Sequence, residues 1–229
     1  MEAGPFRSAF YDELDQIRLQ VELMGVRVDQ NLERMREVLR SGDEEVAAVA
    51  LAADDEIDAM HISLLERCYD LLGREAPVAS DLRFVVSVVR ILSELERVGD
   101  LALRVVKLAA YVDAMAQTGE TWDVLLTMVD TAVEQYRTAL RAWSSQDLAL
   151  AVELVEHPPP LDAFQERLIG NMRLGALGSV DDGEAVRVLM SQFVIAQAAD
   201  RIADHAAIIG ARLRYLITGE PAHLATEVR

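Results

Sequence analysis

The chain has 229 residues, of which 52% are hydrophobic and only 12 are Gly and 6 are Pro. That length can bury a sizeable core, as one domain or as two subdomains of roughly 100 residues each. A formal net charge of −17 argues against nucleic acid as a partner, because that affinity depends mainly on Lys and Arg contacts with phosphates. Few aromatic residues and abundant Ala, Leu, Val, Glu and Arg predict an all-α fold.

A single cysteine, Cys68, excludes an internal disulfide framework and is typical of a reducing compartment. The first residues lack the basic flank and apolar run of a signal peptide. The longest uncharged stretch, 188–199, is far shorter than the roughly 20 apolar residues of a membrane span. We therefore expect a cytoplasmic protein that reaches a membrane only through partners.

Two long helices are predicted in the first 75 residues. Apolar residues recur at helical spacing from Phe6 to Arg40, and Asp43 is placed to cap a second helix that ends near Gly73. The predicted core stripe of the second helix includes two polar residues and reads Ala47, Ala50, Asp54, Ile57, His61, Leu64, Cys68 and Leu71.

A third helix is predicted from Ser80 or Asp81 to about Ala110, with Glu96 interrupting its apolar stripe. A turn at 117–120 then divides the chain. The sequence thus predicts one three-helix bundle at 1–118 and a second at 119–221, followed by a short, frayed tail at 222–229.

The second half repeats this order, with one departure. A helix is predicted from Trp122 to Trp143 and another opens at Leu148, but Pro158-Pro159-Pro160 must break it before it restarts near Leu161. The last helix runs from about Glu184 to Leu216, and its predicted core stripe includes Val186, Leu189, Phe193, Ala196 and Asp200. The predicted fold is therefore two tandem three-helix bundles with six long helices, the fifth of them broken.

Acidic pairs mark both halves. Glu96 and Asp100 are four residues apart, as are Asp200 and Asp204, and the two segments stand 104 residues apart in the chain. At the same offset Asp58 matches Asp162, which indicates a tandem duplication.

Asp54 and Asp58 add a third acidic pair on the second helix. If that helix packs on the third, four carboxylates converge, and they must then face water, hold protons, pair with cations or bind metal. Oxygen ligands favour hard ions such as Mg²⁺, Mn²⁺, Ca²⁺ or iron, with His61 as a possible nitrogen donor.

Simpler interpretations stand beside this one. So acidic a chain gives on the order of half a dozen such pairs by chance, most of them on solvated faces. Arg97 and Arg201 occupy equivalent positions and either hold an anion or are solvated, and we expect His205 on the surface. The spacing of Asp58 and His61 is similar to the Glu-x-x-His of di-iron bundles, which leaves a carboxylate-bridged metalloenzyme as an alternative.

No Gly-rich phosphate loop or nucleophile motif is present, so the sequence does not predict an enzyme. A metal-free helical scaffold whose acids only keep it in solution is the remaining alternative.

Five segments of the sequence resemble the PhoU family. The segment 77–83, Pro-Val-Ala-Ser-Asp-Leu-Arg, leads through 94–100, Glu-Leu-Glu-Arg-Val-Gly-Asp, in the manner of the family's first repeat. The segment 200–206, Asp-Arg-Ile-Ala-Asp-His-Ala, followed by 215–220, resembles the close of its second. With the acidic run at 54–58, the resemblance spans nearly the whole chain.

The resemblance implies a cytoplasmic negative regulator of phosphate uptake and phosphate-starvation signalling. It implies contacts with the ATPase of the phosphate ABC transporter and with a sensor histidine kinase, and assembly as a dimer or another homo-oligomer. It also implies metal ions such as iron, manganese, magnesium or zinc at acidic motifs, although a metal-free state is compatible with it. The matching positions here are Asp54, Asp58, Glu96 and Asp100 in the first half, and Asp162, Asp200 and Asp204 in the second.

The chain departs from the family pattern at three places. In the second repeat, Pro158 occupies the position equivalent to Asp54, so the second cluster lacks one ligand, although the nearby Glu156 could substitute for it. The first cluster is therefore the better candidate for metal. Arg104 and Ile208 stand where family members often carry Asn, and Arg104 could neutralise the first cluster without metal.

Overall fold

The structure is a computed structural model that describes residues 5–74, 77–175 and 182–228, and these residues form helices and no strand. The helices are α1 (Pro5–Ser41), α2 (Glu44–Arg74), α3 (Ala79–Val106), α4 (Val112–Ala116), α5 (Glu120–Ser145), α6 (Leu148–Glu156), α7 (Leu161–Gly175) and α8 (Asp182–Thr218). Helices α1, α2 and α3 form one bundle, and α5, the broken α6 and α7, and α8 form the other. The predicted all-α fold of two tandem bundles is confirmed.

The helix ends follow from local chemistry. Gly42 has a φ of 68° and donates its N–H to Val38, which ends α1 in the left-handed conformation that glycine tolerates best. Asp43 Oδ1 then accepts hydrogen bonds from the amides of Glu45 and Val46, as predicted for the cap of α2.

The break in the fifth predicted helix is confirmed and separates α6 from α7. Asp147 caps the start of α6 by accepting from two amides, and α6 ends at Glu156, immediately before His157 and the three prolines. The chain resumes as α7 at Leu161. The second bundle therefore has two short helices where the first has the continuous α2.

Two predictions about connections are wrong. The third helix ends at Val106, because the chain turns through a 3-10 segment (Ala109–Tyr111) and the short α4 before it reaches α5. The tail is not frayed over its described part: Pro221–Val228 forms a 3-10 helix that packs on α8.

Helices α3 and α8 pack antiparallel at the centre of the molecule. Near one end of the contact, a Cβ at Gly219 would lie 3.0 Å from Arg83 Nη1, while near the other Gln192 Nε2 donates to Thr118 Oγ1 over 2.7 Å. Helix α2 lies along α3, and α6 lies along α8. One buried core continues through both bundles, and its largest side chains are Trp143 and Tyr136.

The predicted core stripes are accurate for α2 and partly wrong for α8. On α2 the six apolar residues of the stripe are buried, and Asp54 and His61 are partly buried. On α8, Val186 and Phe193 are exposed, because α7 packs on α5 and makes only slight contact with α8. Within the described residues, no helix is both long and apolar enough to cross a bilayer.

Candidate functional site

The four predicted acids of the first half lie together where α2 packs on α3. A Cβ at Gly99 would lie 3.7 Å from Asp54 Oδ1, so the carboxylate rests against the backbone of α3. Burial raises the pKa of Asp54 to about 6, with further contributions from the negative charges of Asp58 and Asp100. The two helices thus bring these carboxylates within electrostatic reach of one another.

Glu96 belongs to the same cluster. Burial raises its pKa, Asp100 adds to the effect, and His61 and Arg97 partly oppose it. Asp58 and Asp100 are exposed, so the cluster opens to water on one side. We call Asp54, Asp58, Glu96 and Asp100 the first acidic cluster. Arg104 is exposed and is not among the largest charges acting on Asp54 or Glu96, so nothing supports the predicted neutralisation by Arg104.

The three predicted acids of the second half also lie together, between α7 and α8. Burial raises the pKa of Asp200, followed by the charges of Asp204 and Asp162, while Arg201 lowers it. Asp162 and Asp204 are exposed. We call these three the second acidic cluster.

Glu156 does not replace the missing fourth acid. Its Oε1 lies 2.9 Å from Arg214 Nη1, and it is not among the charges that shift Asp200. The last residue of α6 is thus paired with the C-terminal part of α8 and not with the second acidic cluster.

Metal binding at these clusters stays a prediction. Within the described residues, no three or more His, Cys, Asp or Glu side chains are arranged to hold a metal ion. The carboxylates are nevertheless close enough to raise one another's pKa. His61 lies near Glu96, and its buried Nε2 has no hydrogen-bond partner among the described groups.

A buried ionic contact that was not predicted from the sequence joins the two bundles. Glu94 on α3 is fully buried, and its Oε2 lies 2.5 Å from Nδ1 of His205 on α8. Its Oε1 contacts Arg90 Nη2 over 3.0 Å and Arg97 Nη1 over 3.4 Å. His205 is therefore buried, and its expected surface position is wrong.

A signal for this contact was present in the sequence. Helix α3 has a second stripe of buried residues on a different side from the predicted stripe. Glu94 is the charged residue in this second stripe, which consists of Ser87, Ile91, Glu94, Val98, Leu101 and Val105. All six are buried, because α3 is covered by α8 on this side as well as by α1 and α2. An acid inside an otherwise apolar or small stripe, with Arg90 one turn before it, predicts a buried ion pair.

Comparison with known proteins decides the family. The PhoU domain model matches residues 21–109 and 125–213, one copy on each bundle. The chain therefore belongs to the PhoU family. The two matches contain α3 and most of α8, and with them both acidic pairs of the third helices.

Relatives and solved structures of the family agree with this. The phosphate-specific transport system accessory protein PhoU of Serratia marcescens is 25% identical over 215 residues, covering 92% of this chain and 85% of that protein. The Escherichia coli K12 protein of the same name is 24% identical over 212 residues, covering 92% and 86%.

Among solved structures, PhoU from Pseudomonas aeruginosa superposes with a TM-score of 0.84 at 24% identity, covering 92% of this chain and all of that one. The phosphate transport system regulatory protein PhoU from Streptococcus pneumoniae gives a TM-score of 0.76 at 26% identity, covering 92% and 98%. The PhoU fold thus extends over nearly the whole chain, with both bundles included.

Proposed function

We propose that the chain is an adaptor rather than an enzyme, and that it acts in the cytoplasm as a negative regulator of phosphate uptake and of the phosphate-starvation response. In this proposal it contacts the ATPase of the phosphate ABC transporter and a sensor histidine kinase. The observation that carries it is the match of the PhoU domain to both bundles, each with its acidic pair on the third helix. The relatives' names, which describe accessory proteins of phosphate transport, support it.

Gene deletion tests this function. In the organism that encodes the chain, the deletion strain is grown in high phosphate and its alkaline phosphatase activity is measured. We expect activity to rise several-fold, on the order of the factor that a lost regulatory coupling of 1–3 kcal/mol gives, and to fall again when a plasmid copy is supplied. Unchanged repression in a strain without a second gene of this family would overturn the proposal.

A matched pair of variants connects the function to the first acidic cluster. Plasmid copies carrying Glu96→Gln/Asp100→Asn should fail to restore repression. Asp12→Asn/Asp15→Asn removes the same charge from the exposed side of α1 and should restore it. Equal restoration of repression by both copies would show that the function does not depend on the first acidic cluster.

We also propose that any metal is held by the first acidic cluster before the second, because only the first retains four carboxylates. Elemental analysis of untagged protein purified without chelator checks this when Asp54→Asn/Asp58→Asn, which should lose the metal, is compared with Asp200→Asn/Asp204→Asn, which should keep it. Fewer than about one ion per chain in the parent protein would contradict the di-iron alternative, since metal catalysis requires an occupied site. Assembly as a homo-oligomer is part of the same proposal and is checked by light scattering.

A further inference from the structure

The first bundle exposes large apolar side chains beside the first acidic cluster. On α2, Ile62 and Tyr69 are each 58% exposed, and on α3, Leu82 and Val86 are each 44% exposed. Single exposed apolar residues are ordinary on protein surfaces, but groups of them mark interaction sites.

Helix geometry places them on the same face. Asp58 and His61 of α2 act electrostatically on Glu96 of α3, which fixes the level at which these antiparallel helices meet. Both helices rise about 1.5 Å per residue, so Tyr69, eight residues beyond His61, lies near the level of Val86. Ile62 and Tyr69 follow Asp58 by 4 and 11 residues, and Leu82 and Val86 precede Asp100 by 18 and 14 residues, so at 3.6 residues per turn each lies on the same side of its helix as that acid. Asp58 and Asp100 both act on Asp54, so the four apolar side chains line one side of the α2 and α3 pair, and we call them the apolar surface.

Part of this exposure recurs in the second repeat. Leu82 and Val86 correspond at the 104-residue offset to Val186 and Met190 of α8, and those two are also exposed. On the helix before, however, the positions equivalent to Ile62 and Tyr69 are Glu166 and Arg173, which are charged. Among the described residues, α7 exposes Ile169 at another position, so an apolar pair at the positions of Ile62 and Tyr69 is present in the first bundle and absent from the second.

The acidic cluster lies further along the same side. Between Val86 and the pair Glu96 and Asp100 are 10 to 14 residues of helix, or about 15–21 Å. The outward face of α3 thus changes from apolar residues to the acidic pair over roughly three to four turns. The exposed Arg97 and Arg104 lie beside that pair, but the four carboxylates of the first acidic cluster outnumber these two guanidinium groups, so the net charge there is negative. A complementary partner has apolar side chains at one end and positive charges at the other.

We propose that this face binds a basic amphipathic helix of a partner protein, with its apolar residues on the apolar surface and its Lys and Arg residues beside the first acidic cluster. A second copy of the chain is a poor occupant, because the chain has 39 acidic against 22 basic residues and would bring more negative charge. An anionic membrane is disfavoured for the same reason. The inference deepens the proposed function, since it describes the kind of partner an adaptor would engage.

A designed peptide tests the proposal with the purified 229-residue chain. The probe is a fluorescein-labelled helical 18-mer with Leu and Phe on one face of its first turns and Lys and Arg on the same face of its last turns. Its anisotropy is followed at about 0.15 M salt, where exposed charges more than about 8 Å apart are largely screened, with chelator present. A control peptide of identical composition has its apolar and basic residues interleaved.

Two double variants remove one half of the surface each. Tyr69→Ser/Val86→Ser removes apolar side chains, and Glu96→Gln/Asp100→Asn removes charge. We expect each to weaken binding about tenfold, the loss that truncating an anchor of an interface gives. The matched variants in the second bundle, Met190→Ser and Asp200→Asn/Asp204→Asn, should change it less than about twofold.

Several results would overturn the proposal. Undiminished binding by Tyr69→Ser/Val86→Ser would show plain charge attraction, and equal binding of the interleaved peptide would show the same. Loss of self-association in this variant would make a second copy the occupant. If this variant does not fold, Ile62→Ser, a single exposed change, replaces it. The titration does not depend on phosphate signalling, so it can fail while the deletion test succeeds, and the reverse.

Discussion

The two acidic clusters occupy equivalent places in the two repeats, but they are built differently. The first lies between two continuous helices and contains Asp54, whose pKa is raised to about 6. The second lies beside a helix that three prolines interrupt, and Pro158 replaces the equivalent of Asp54. The duplication preserved the acidic pair on the third helix and not its surroundings. Equivalence in sequence therefore does not carry equivalent chemistry.

The packing around the third helices differs in the same way. Gly210 of α8 lies against α6, where a Cβ would be 2.8 Å from Leu154 Cβ and 3.2 Å from the carbonyl oxygen of Ala151. The equivalent positions of the first repeat hold Val106 and Ala50, so the large and small side chains are exchanged. The second repeat therefore pairs Leu154 with Gly210 at this position, and the first repeat pairs Ala50 with Val106.

The largest expected effect comes from removing Glu94, a buried acid that the first repeat has and the second lacks. Glu94 is fully buried, and its equivalent in α8 is the buried Ala198. Glu94→Ala should destabilise the protein by about 3 kcal/mol, because it leaves the buried His205 and neighbouring Arg90 without this carboxylate. Urea unfolding measures the change.

Glu94→Gln is the control, since it keeps the shape and loses only the charge, and it should cost less. A loss below about 1 kcal/mol for Glu94→Ala would mean that the contact contributes little to stability, as ion pairs at the surface do.

A glycine pair tests the exchanged packing. Gly210→Ala should destabilise by about 1–3 kcal/mol, because the new methyl group meets Leu154 and backbone that cannot move easily. Gly99→Ala is the matched change in the first repeat, where the nearest atom is Asp54 Oδ1 at the ordinary distance of 3.7 Å. It should be neutral or stabilise by up to about 1 kcal/mol through helix propensity. Thermal and urea unfolding compare them, and equal losses would contradict the difference in packing.

The fold could be predicted because helical periodicity and helix ends are local. The apolar stripe of α2, the cap at Asp43 and the break before Leu161 each depend on residues close in sequence. Tertiary packing was harder to predict. Whether Phe193 is buried depends on where α7 lies, and sequence period alone cannot specify that.

The candidate site was predictable to a similar extent. The acidic pairs were visible from their spacing and their repetition, and the helices do bring them together. Glu94 was missed because the surface that buries it belongs to the other repeat, 111 residues away. A contact between repeats leaves only an indirect signal, the acid within an apolar stripe.

The pH dependence of stability tests the first cluster. The folded pKa of Asp54 is about 6 against an ordinary value of 3.8, so the folded state holds its proton more tightly than the unfolded state. Stability is therefore lost as pH rises from about 4 to above 6.

Asp54→Asn should abolish this loss and stabilise the protein near pH 8 by about 1 kcal/mol, a value reduced because solvent screens a partly buried carboxyl. Below pH 3.8 the variant should match the parent. Urea unfolding at several pH values, with chelator present, measures the difference, and a destabilised variant at pH 8 would show that the charged carboxylate is needed for folding.

The smallest effect is expected from the same change in the second cluster. Burial and the charges of Asp204 and Asp162 raise the pKa of Asp200, so Asp200→Asn should also stabilise the protein above the ordinary range of Asp and have no effect below it. The gain should be smaller than that of Asp54→Asn, because two carboxylates act on Asp200 where four act on Asp54, and because Arg201 opposes the shift. The difference between the two gains, measured by urea unfolding at pH 8, reports the extra repulsion in the first cluster. Equal gains would mean that the two clusters repel an added negative charge equally, although Pro158 replaces the equivalent of Asp54 in the second. The first cluster would then not be expected to bind a cation more tightly than the second.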